Sequence, residues 1–162
     1  MKKASTVTFS QDQIVITGNK SPLFTRILLL VIAIIAIIIP LSVIIYRAVD
    51  GLGFHFVFVP IILITLGTAY FMLRMFLWNT YGKEILTFTE DGITYKSDYK
   101  YFKGSTIIVP KSPNVQFSRH NKEEATCLFS IENKESRIEN VLPISEHDLQ
   151  KIKQEIDQYC RS

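Results

Sequence analysis

The chain has 162 residues, of which 48% are hydrophobic, and a formal net charge of +3 at pH 7. The charges are unevenly placed, because residues 79–162 carry 12 basic and 13 acidic side chains and are therefore close to neutral. Binding of nucleic acid requires clustered lysine and arginine side chains, so this segment of mixed charge argues against a nucleic-acid partner.

Two short strands are predicted near the start of the chain. Residues 6–9 and 13–17 are rich in β-branched and aromatic side chains, with turn-forming residues between them. An isolated hairpin is only marginally stable in water. We therefore expect this segment, residues 1–22, to complete a larger sheet. The sequence leaves open whether that sheet belongs to the same chain or to a neighbouring copy.

Two apolar runs, residues 27–46 and 52–73, follow within a segment at residues 23–78. Each has the length that a helix needs to cross a bilayer, about 20 residues. The short link at 47–51 contains one arginine beside one aspartate, whereas basic residues flank the outer ends of both runs (Lys2, Lys3, Lys20, Arg26, Arg74 and Lys83). The positive-inside rule then predicts a multi-pass protein of the cytoplasmic (inner) membrane with both termini in the cytoplasm.

Four residues are predicted to anchor this hairpin at one membrane interface. Arg26 and Arg74 lie at the same predicted leaflet, where long basic side chains reach the headgroups. Trp78 and Tyr81 suit the aromatic belt of the same interface. Apart from tyrosines, His55 is the only ionisable side chain within the two runs, and it lies at the predicted outer end. We therefore expect an anchor and not a channel or transporter.

The remaining residues, 79–162, predict a small domain of short strands closed by a helix. Turn-forming residues separate predicted strands at 92–97, 99–103, 106–109, 115–119, 125–132 and 136–142. Ser145 is a good N-cap for the last helix. An apolar stripe at helical spacing follows it, formed by Leu149, Ile152, Ile156 and Tyr159.

The order of these elements resembles that of bacterial membrane proteins with a pleckstrin-homology-like (PH-like) domain, the YcxB-like and related bacterial PH groups. Residues 77–84 (LWNTYGKE) leaving the second run, residues 85–95, and residues 141–145 (VLPIS) before the last helix carry the resemblance. It implies an α+β membrane protein, with a two-helix transmembrane hairpin and a small PH-like β-barrel or sandwich capped by a C-terminal amphipathic helix. Such domains act as adaptors for lipid or protein.

Three lysines, Lys96, Lys100 and Lys103, form a candidate contact for anionic lipid headgroups, because tyrosines and a phenylalanine alternate with them. The alternative is a solvated strand face. Lipid binders among PH domains place basic residues in the first strand–strand loop, but here that loop, residues 89–92, contains Glu90 and Asp91. Such a loop would repel phosphate.

No catalytic constellation is indicated. His120, Glu123, Glu124 and Cys127 are close in sequence, but they read as a polar hairpin loop followed by a core strand. Phosphate loops, nucleophile elbows and zinc-ligand spacings are absent from the sequence, so we expect no enzyme activity, cofactor or metal. We expect a non-enzymatic interaction module that binds a membrane-protein partner, or itself, through strand edges and the groove beside its last helix. It would be an accessory subunit of a larger membrane complex. The alternative is sensing or organisation of an anionic lipid surface.

Overall fold

A computed structural model describes residues 4–10, 12–51, 56, 58–112, 115–123, 126–134 and 136–161, without the side chains of 121–123. The predicted contributions of Lys2, Lys3, His55 and Glu124 fall outside the described residues. The chain forms two compact units. We call Ser21–Thr80 the helical unit, and Met1–Lys20 together with Tyr81–Ser162 the sheet unit.

The helical unit consists of two long apolar helices, α1 (Leu23–Val49) and α2 (Phe58–Tyr81), whose last residue belongs to the sheet unit. Both are long and apolar enough to cross a membrane. In each, only 11% of the most apolar stretch is buried, whereas a core helix of a soluble protein would be mostly buried. Many apolar side chains of these helices are therefore exposed on the surface of the chain, for example Leu63, which is 65% exposed.

The two helices run antiparallel, because the start of α1 is bonded to the end of α2. The backbone N–H of Ser21 donates to the carbonyl oxygen of Asn79 at 3.2 Å, and the Ser21 hydroxyl donates to the Asn79 side-chain oxygen at 2.5 Å. Pro40 lies inside α1. Pro60, which the sequence places within the second run, instead lies in the first turn of α2, where no intrahelical bond is lost.

The sheet unit contains nine strands among the described residues and one helix. The strands are β1 (Thr6–Ser10), β2 (Gln13–Thr17), β3 (Lys83–Thr89), β4 (Gly92–Tyr99), β5 (Phe102–Lys103), β6 (Ile107–Pro110), β7 (Gln116–Glu123), β8 (Thr126–Glu132) and β9 (Arg137–Glu139). The helix, α3 (Glu146–Arg161), follows them.

These strands form two antiparallel sheets. The first has the order β1-β2-β3-β4, and β4 pairs with β5 near one end and with β6 near the other. The second has the order β7-β8-β9. The N-terminal strands therefore join the sheet of their own chain, with Ile14 opposite Leu86 and Ile16 opposite Glu84. The sheets do not close into a barrel, which corrects the barrel form implied by the resemblance.

The predicted strand at 99–103 is wrong, because the chain reverses within it. β4 ends at Tyr99 and β5 begins at Phe102, so Lys100 and Tyr101 form the turn between them. The predicted C-terminal helix is confirmed. The Ser145 hydroxyl accepts a hydrogen bond from the Asp148 N–H at 3.1 Å, as an N-cap does. The apolar stripe of α3 enters one core with residues of both sheets (Ile14, Ile16, Leu86, Ile93, Phe129, Ile131, Ile138, Leu149, Ile152 and Ile156).

Candidate functional site

The turn between β4 and β5 gives Lys100 an unusual backbone conformation. Its φ angle is +71°, in the left-handed region that non-glycine residues rarely occupy. The Asp98 carboxylate accepts a hydrogen bond of 2.9 Å from the Lys100 N–H and so holds the turn. Behind it, the rings of Tyr99 and Phe102 stack with centroids 5.9 Å apart. One hydrogen bond and one pair of stacked rings therefore stabilise this turn of the sheet unit.

The Lys100 side chain lies between two tyrosine rings. Its ammonium nitrogen is 4.7 Å from the ring centroid of Tyr81 and 5.0 Å from that of Tyr101, within the range of cation–π contacts. Tyr101 is 73% exposed, and Tyr81 is the last residue of α2. We call Tyr81, Lys100 and Tyr101 the lysine–tyrosine tip. The tip therefore contains Lys100, which the sequence predicts to contact headgroups, and Tyr81, which it predicts to anchor the hairpin at the interface.

The other two predicted lysines lie apart from this tip. Lys96 is opposite Ile85 in the pairing of β3 with β4, and Lys103 is opposite Asp98 in the pairing of β4 with β5. Side chains alternate along a strand, so Lys96, Asp98 and Lys103 share one face of the sheet. The Asp98 carboxylate therefore lies on the same face as the two ammonium groups and offsets part of their positive charge.

Three predicted anchors lie in the helical unit. Arg26 is in the first turn of α1, and its guanidinium Nε is buried without a hydrogen-bond partner among the described residues. Arg74 and Trp78 are one turn apart near the end of α2. The bonds between Ser21 and Asn79 bring these two helix ends together, so all three anchors lie at the same end of the hairpin.

A cleft of about 350 Å³ lies beside α3 in the sheet unit. Three carboxylate residues and one lysine line it, together with two aromatic rings and two neutral polar residues (Asp12, Glu90, Glu155, Lys111, Phe88, Tyr159, Thr89 and Gln158). We call it the acidic cleft. The sequence predicts a groove beside the last helix, but no sequence pattern identifies these residues, because β3, α3 and loop residues far apart in the chain supply them.

Tyr159 fixes the wall of the acidic cleft. Its hydroxyl donates to the Thr89 carbonyl oxygen, and its ring lies 5.1 Å from the Phe88 ring between centroids. The Lys111 ammonium nitrogen lies 4.8 Å from the centroid of the Tyr159 ring. Burial raises the pKa of the Tyr159 hydroxyl, so the group stays a neutral hydrogen-bond donor. The cleft thus combines an ordered aromatic wall with an excess of negative charge.

A buried carboxyl group, missed by the sequence reasoning, lies inside the sheet unit. Glu84 is fully buried on β3, and one of its oxygens accepts hydrogen bonds from the backbone N–H groups of Val141 at 2.7 Å and Leu142 at 3.2 Å. Its other oxygen has no donor in standard hydrogen-bond geometry among the described residues, although the Tyr95 hydroxyl interacts with the carboxyl group. Burial raises the pKa of Glu84 to about 7.

Of the residues considered for catalysis, only His120 and Cys127 have described side chains, and His120 lies in β7 and not in the predicted hairpin loop. The His120 ring nitrogen Nε2 is 3.3 Å from the Ser130 hydroxyl, which is fully buried. Cys127 is a buried free thiol in β8. Burial raises the pKa of the Cys160 thiol, the other cysteine, and the neighbouring Asp157 raises it further, so Cys160 is protonated at neutral pH. Among the described residues, no group of three candidate metal ligands occurs.

Comparison with known families and curated proteins identifies no relative of this chain. No family model matches the sequence, and a search of curated proteins finds no match. The resemblance to bacterial PH-domain proteins, which rests on residues 77–95 and 141–145, therefore stays a prediction. The fold itself is α+β, with two antiparallel sheets and two helices that could span a membrane.

Proposed function

We propose that the chain is a non-enzymatic integral membrane protein whose sheet unit is a PH-like protein-interaction module. In this proposal α1 and α2 cross the inner membrane as a hairpin, and both termini lie in the cytoplasm. Two observations support the hairpin: the exposed apolar surface of both helices, and the hydrogen bond between Ser21 and Asn79 that joins the start of α1 to the end of α2. The module serves as an accessory subunit of a larger membrane complex.

The acidic cleft carries this proposal. A protein partner is recognised where an apolar wall and a few placed polar groups meet in a concave surface. The rings of Phe88 and Tyr159 supply the wall, and the carboxylates of Asp12, Glu90 and Glu155 outnumber the one ammonium group, that of Lys111. The cleft therefore suits a partner segment that places an arginine or lysine beside an apolar side chain.

Purification of the full-length tagged protein from its own membranes in mild detergent tests the proposal. We expect a membrane protein to co-elute in near-stoichiometric amount, identified by mass spectrometry. The variant Glu155→Lys reverses one charge of the cleft and should reduce the recovered partner several-fold. Asp157→Lys is the matched control, since it makes the same kind of change on an exposed residue of α3 that does not line the cleft.

Two results would contradict the proposal. The protein would elute without any stoichiometric membrane partner, or the partner would be recovered equally with the Glu155→Lys and Asp157→Lys variants. In the second case the association would use another surface, and the cleft would lose its role.

The lysine–tyrosine tip favours a second candidate function, the recognition of anionic lipid. In this candidate function α2 spans the membrane and its last residue, Tyr81, lies at the interface, and the contact of Lys100 with the Tyr81 ring supports a role of Lys100 in headgroup binding. Tyr101, exposed and amphipathic, suits the same depth. Each basic residue near an anionic surface adds about 1 kcal/mol of attraction, which salt screens.

Amide hydrogen exchange of the full-length protein in nanodiscs tests the lipid candidate. We expect the amides of residues 98–103 to be better protected in anionic than in zwitterionic nanodiscs at low salt, and the difference to vanish at high salt. Lys100→Ala should abolish the difference, whereas Lys151→Ala, an exposed position on α3, should preserve it. Equal exchange in both lipids at low salt would exclude this function.

A further inference from the structure

Among the residues that the structure describes, the outer edge of β1 is the longest uncharged strand edge of the first sheet. The strand has the sequence Thr6-Val7-Thr8-Phe9-Ser10, without a charged residue or a proline. Among the described residues, β1 pairs with β2 alone, so its other edge has no strand partner. Natural proteins usually protect such an edge with charged residues, prolines or bulges, because an open edge pairs with another strand.

The register shows which backbone groups of β1 face outward. Two hydrogen bonds between the ends of β2 and β3 set the direction of the backbone groups: Gly18 N–H donates to Gly82 O, and Phe88 N–H donates to Asp12 O. The N–H and C=O groups of the even-numbered residues of β2 therefore point toward β3. The backbone groups of the odd-numbered residues of β2 then point toward β1. Their partners there are even-numbered: Thr17 pairs with Thr6, Val15 with Thr8, and Gln13 with Ser10.

Val7 and Phe9 therefore direct their N–H and C=O groups away from the sheet. Ser5 follows the same alternation, and its N–H donates to the Pro143 carbonyl oxygen at 2.8 Å, which ends the open edge on that side. The open edge thus consists of two residues with outward backbone groups on either side of Thr8. This spacing is the one that an antiparallel strand requires, since hydrogen-bonded pairs recur at every second residue.

We propose that two copies of the chain pair antiparallel through β1, about a two-fold axis at Thr8. In this register Val7 of each copy lies opposite Phe9 of the other, and each such pair exchanges both N–H···O=C bonds. Thr8 meets Thr8 of the second copy as a non-hydrogen-bonded pair, in which side chains approach most closely. The two six-stranded sheets then form one continuous sheet with twofold symmetry.

The side chains of β1 match this self-pairing. Val7 and Phe9 are half-buried and pack against the core, so the pairing places a β-branched side chain opposite an aromatic one at the margin of both cores. Thr6, Thr8 and Ser10 are exposed on the other face, where hydroxyl groups meet hydroxyl groups. Because the strand has no charge, the second copy meets no like charge along it.

Disulfide formation in the full-length protein tests the axis. A Thr8→Cys variant in a Cys160→Ser background should form a covalent dimer, because Cα atoms of a non-hydrogen-bonded pair are about 4.5 Å apart, within the range of disulfides. Thr6→Cys is the matched control on the same face. Its two copies would be about 14 Å apart, four strand positions at roughly 3.4 Å each. We expect several times more dimer from Thr8→Cys.

A charge exchange at the same position gives a second test that does not depend on oxidation. Thr8→Lys and Thr8→Glu each place like charges opposite one another, so each should be monomeric in detergent by light scattering. Since Thr8 is exposed, both variants should fold as the wild type does. A mixture of the two variants should restore the dimer, because only a residue on the axis faces its own counterpart. The same exchange at Thr6 should have no such effect.

The proposal is overturned if Thr8→Cys and Thr6→Cys cross-link equally, or if the wild type is monomeric in membranes and in mild detergent. If an extended segment of another protein paired with β1, the chain would be recovered in a heteromeric complex, and mixing Thr8→Lys with Thr8→Glu would not restore that complex. This result would also overturn the proposal. This inference goes beyond the proposed function and fails separately from it, since the effect of Glu155→Lys on partner recovery does not involve β1.

Discussion

The buried carboxyl group of Glu84 accepts a hydrogen bond of 2.7 Å from the backbone N–H of Val141, 57 residues further along the chain. It ties the strand that follows α2 to the loop that precedes α3. Burial raises its pKa from 4.5 to about 7, and the hydrogen bonds from Val141, Tyr95 and Leu142 oppose this shift without cancelling it. The sheet unit therefore contains an internal carboxyl group that titrates near neutral pH.

Because Glu84 titrates in this range, we expect the unfolding free energy of the sheet unit to fall as pH rises. A group with a raised pKa in the folded state binds a proton more tightly there than in the unfolded chain. Its stabilising contribution is therefore fully present below pH 4.5 and is lost as pH rises through about 7. The shift corresponds to about 3 kcal/mol of unfolding free energy, at 1.36 kcal/mol for each pKa unit.

Glu84→Gln should remove this dependence. The amide oxygen still accepts from the Val141 N–H, and the side chain carries no charge at any pH. We expect the variant to match the wild type at pH 5 and to unfold at a higher temperature at pH 8, as measured by circular dichroism in detergent. Glu90→Gln, at an exposed turn, is the control and should change neither value. Parallel pH profiles for Glu84→Gln and the wild type would contradict the buried titration.

Tyr95→Phe should extend the pH-dependent fall in stability to higher pH. The Tyr95 hydroxyl stabilises the charged form of Glu84 by hydrogen bonding, so its removal raises the pKa of Glu84 above about 7. The fall in unfolding temperature begins near the pKa of the unfolded chain, which this change does not affect, so it should end at a higher pH than in the wild type. In a Glu84→Gln background the same tyrosine change should leave the pH profile flat. A shift that persists in that background would mean that another group titrates.

Ile16→Ala should destabilise the sheet unit and so test the role of the N-terminal strands. Ile16 is fully buried on β2, next to Glu84 in the pairing with β3. Removing a buried isoleucine side chain to alanine costs about 2–5 kcal/mol of unfolding free energy. Ile108→Ala, at a position that is 51% exposed on β6, is the matched control and should cost much less. Equal effects of the two changes would show that β2 is not part of the core.

Local patterns in the sequence predicted the local structure well. The two N-terminal strands follow from alternating β-branched residues, and α3 follows from the Ser145 cap and the stripe at Leu149, Ile152 and Ile156. The two long helices follow from uninterrupted apolar runs, although α2 ends several residues later than predicted. In each case the signal lies within the residues that form the element.

Long-range relationships were beyond these patterns. Glu84 in its sequence context is an ordinary charged residue after a glycine and a lysine, and only the fold places it under Val141. The contact of Lys100 with Tyr81 likewise depends on a tight turn at a residue with positive φ, where the sequence predicts a continuous strand. The acidic cleft combines side chains from β3, from α3 and from the segments that follow β1, β3 and β6. None of the local patterns at these residues shows which distant residues they contact.

Gly92→Ala should destabilise the junction of β3, β4 and β6. Gly92 has a φ angle of +153°, and a Cβ atom there would lie 2.3 Å from the carbonyl oxygen of Val109. Backbone strain of this kind costs about 1–3 kcal/mol, and the contact with a backbone atom allows little relief. Gly67→Ala in α2 is the matched control, because no heavy atom lies within 4 Å of its added Cβ. We expect Gly92→Ala alone to lower the unfolding temperature and to speed amide exchange in β4 and β6. Unchanged exchange in these strands would contradict the close packing of Gly92 against Val109.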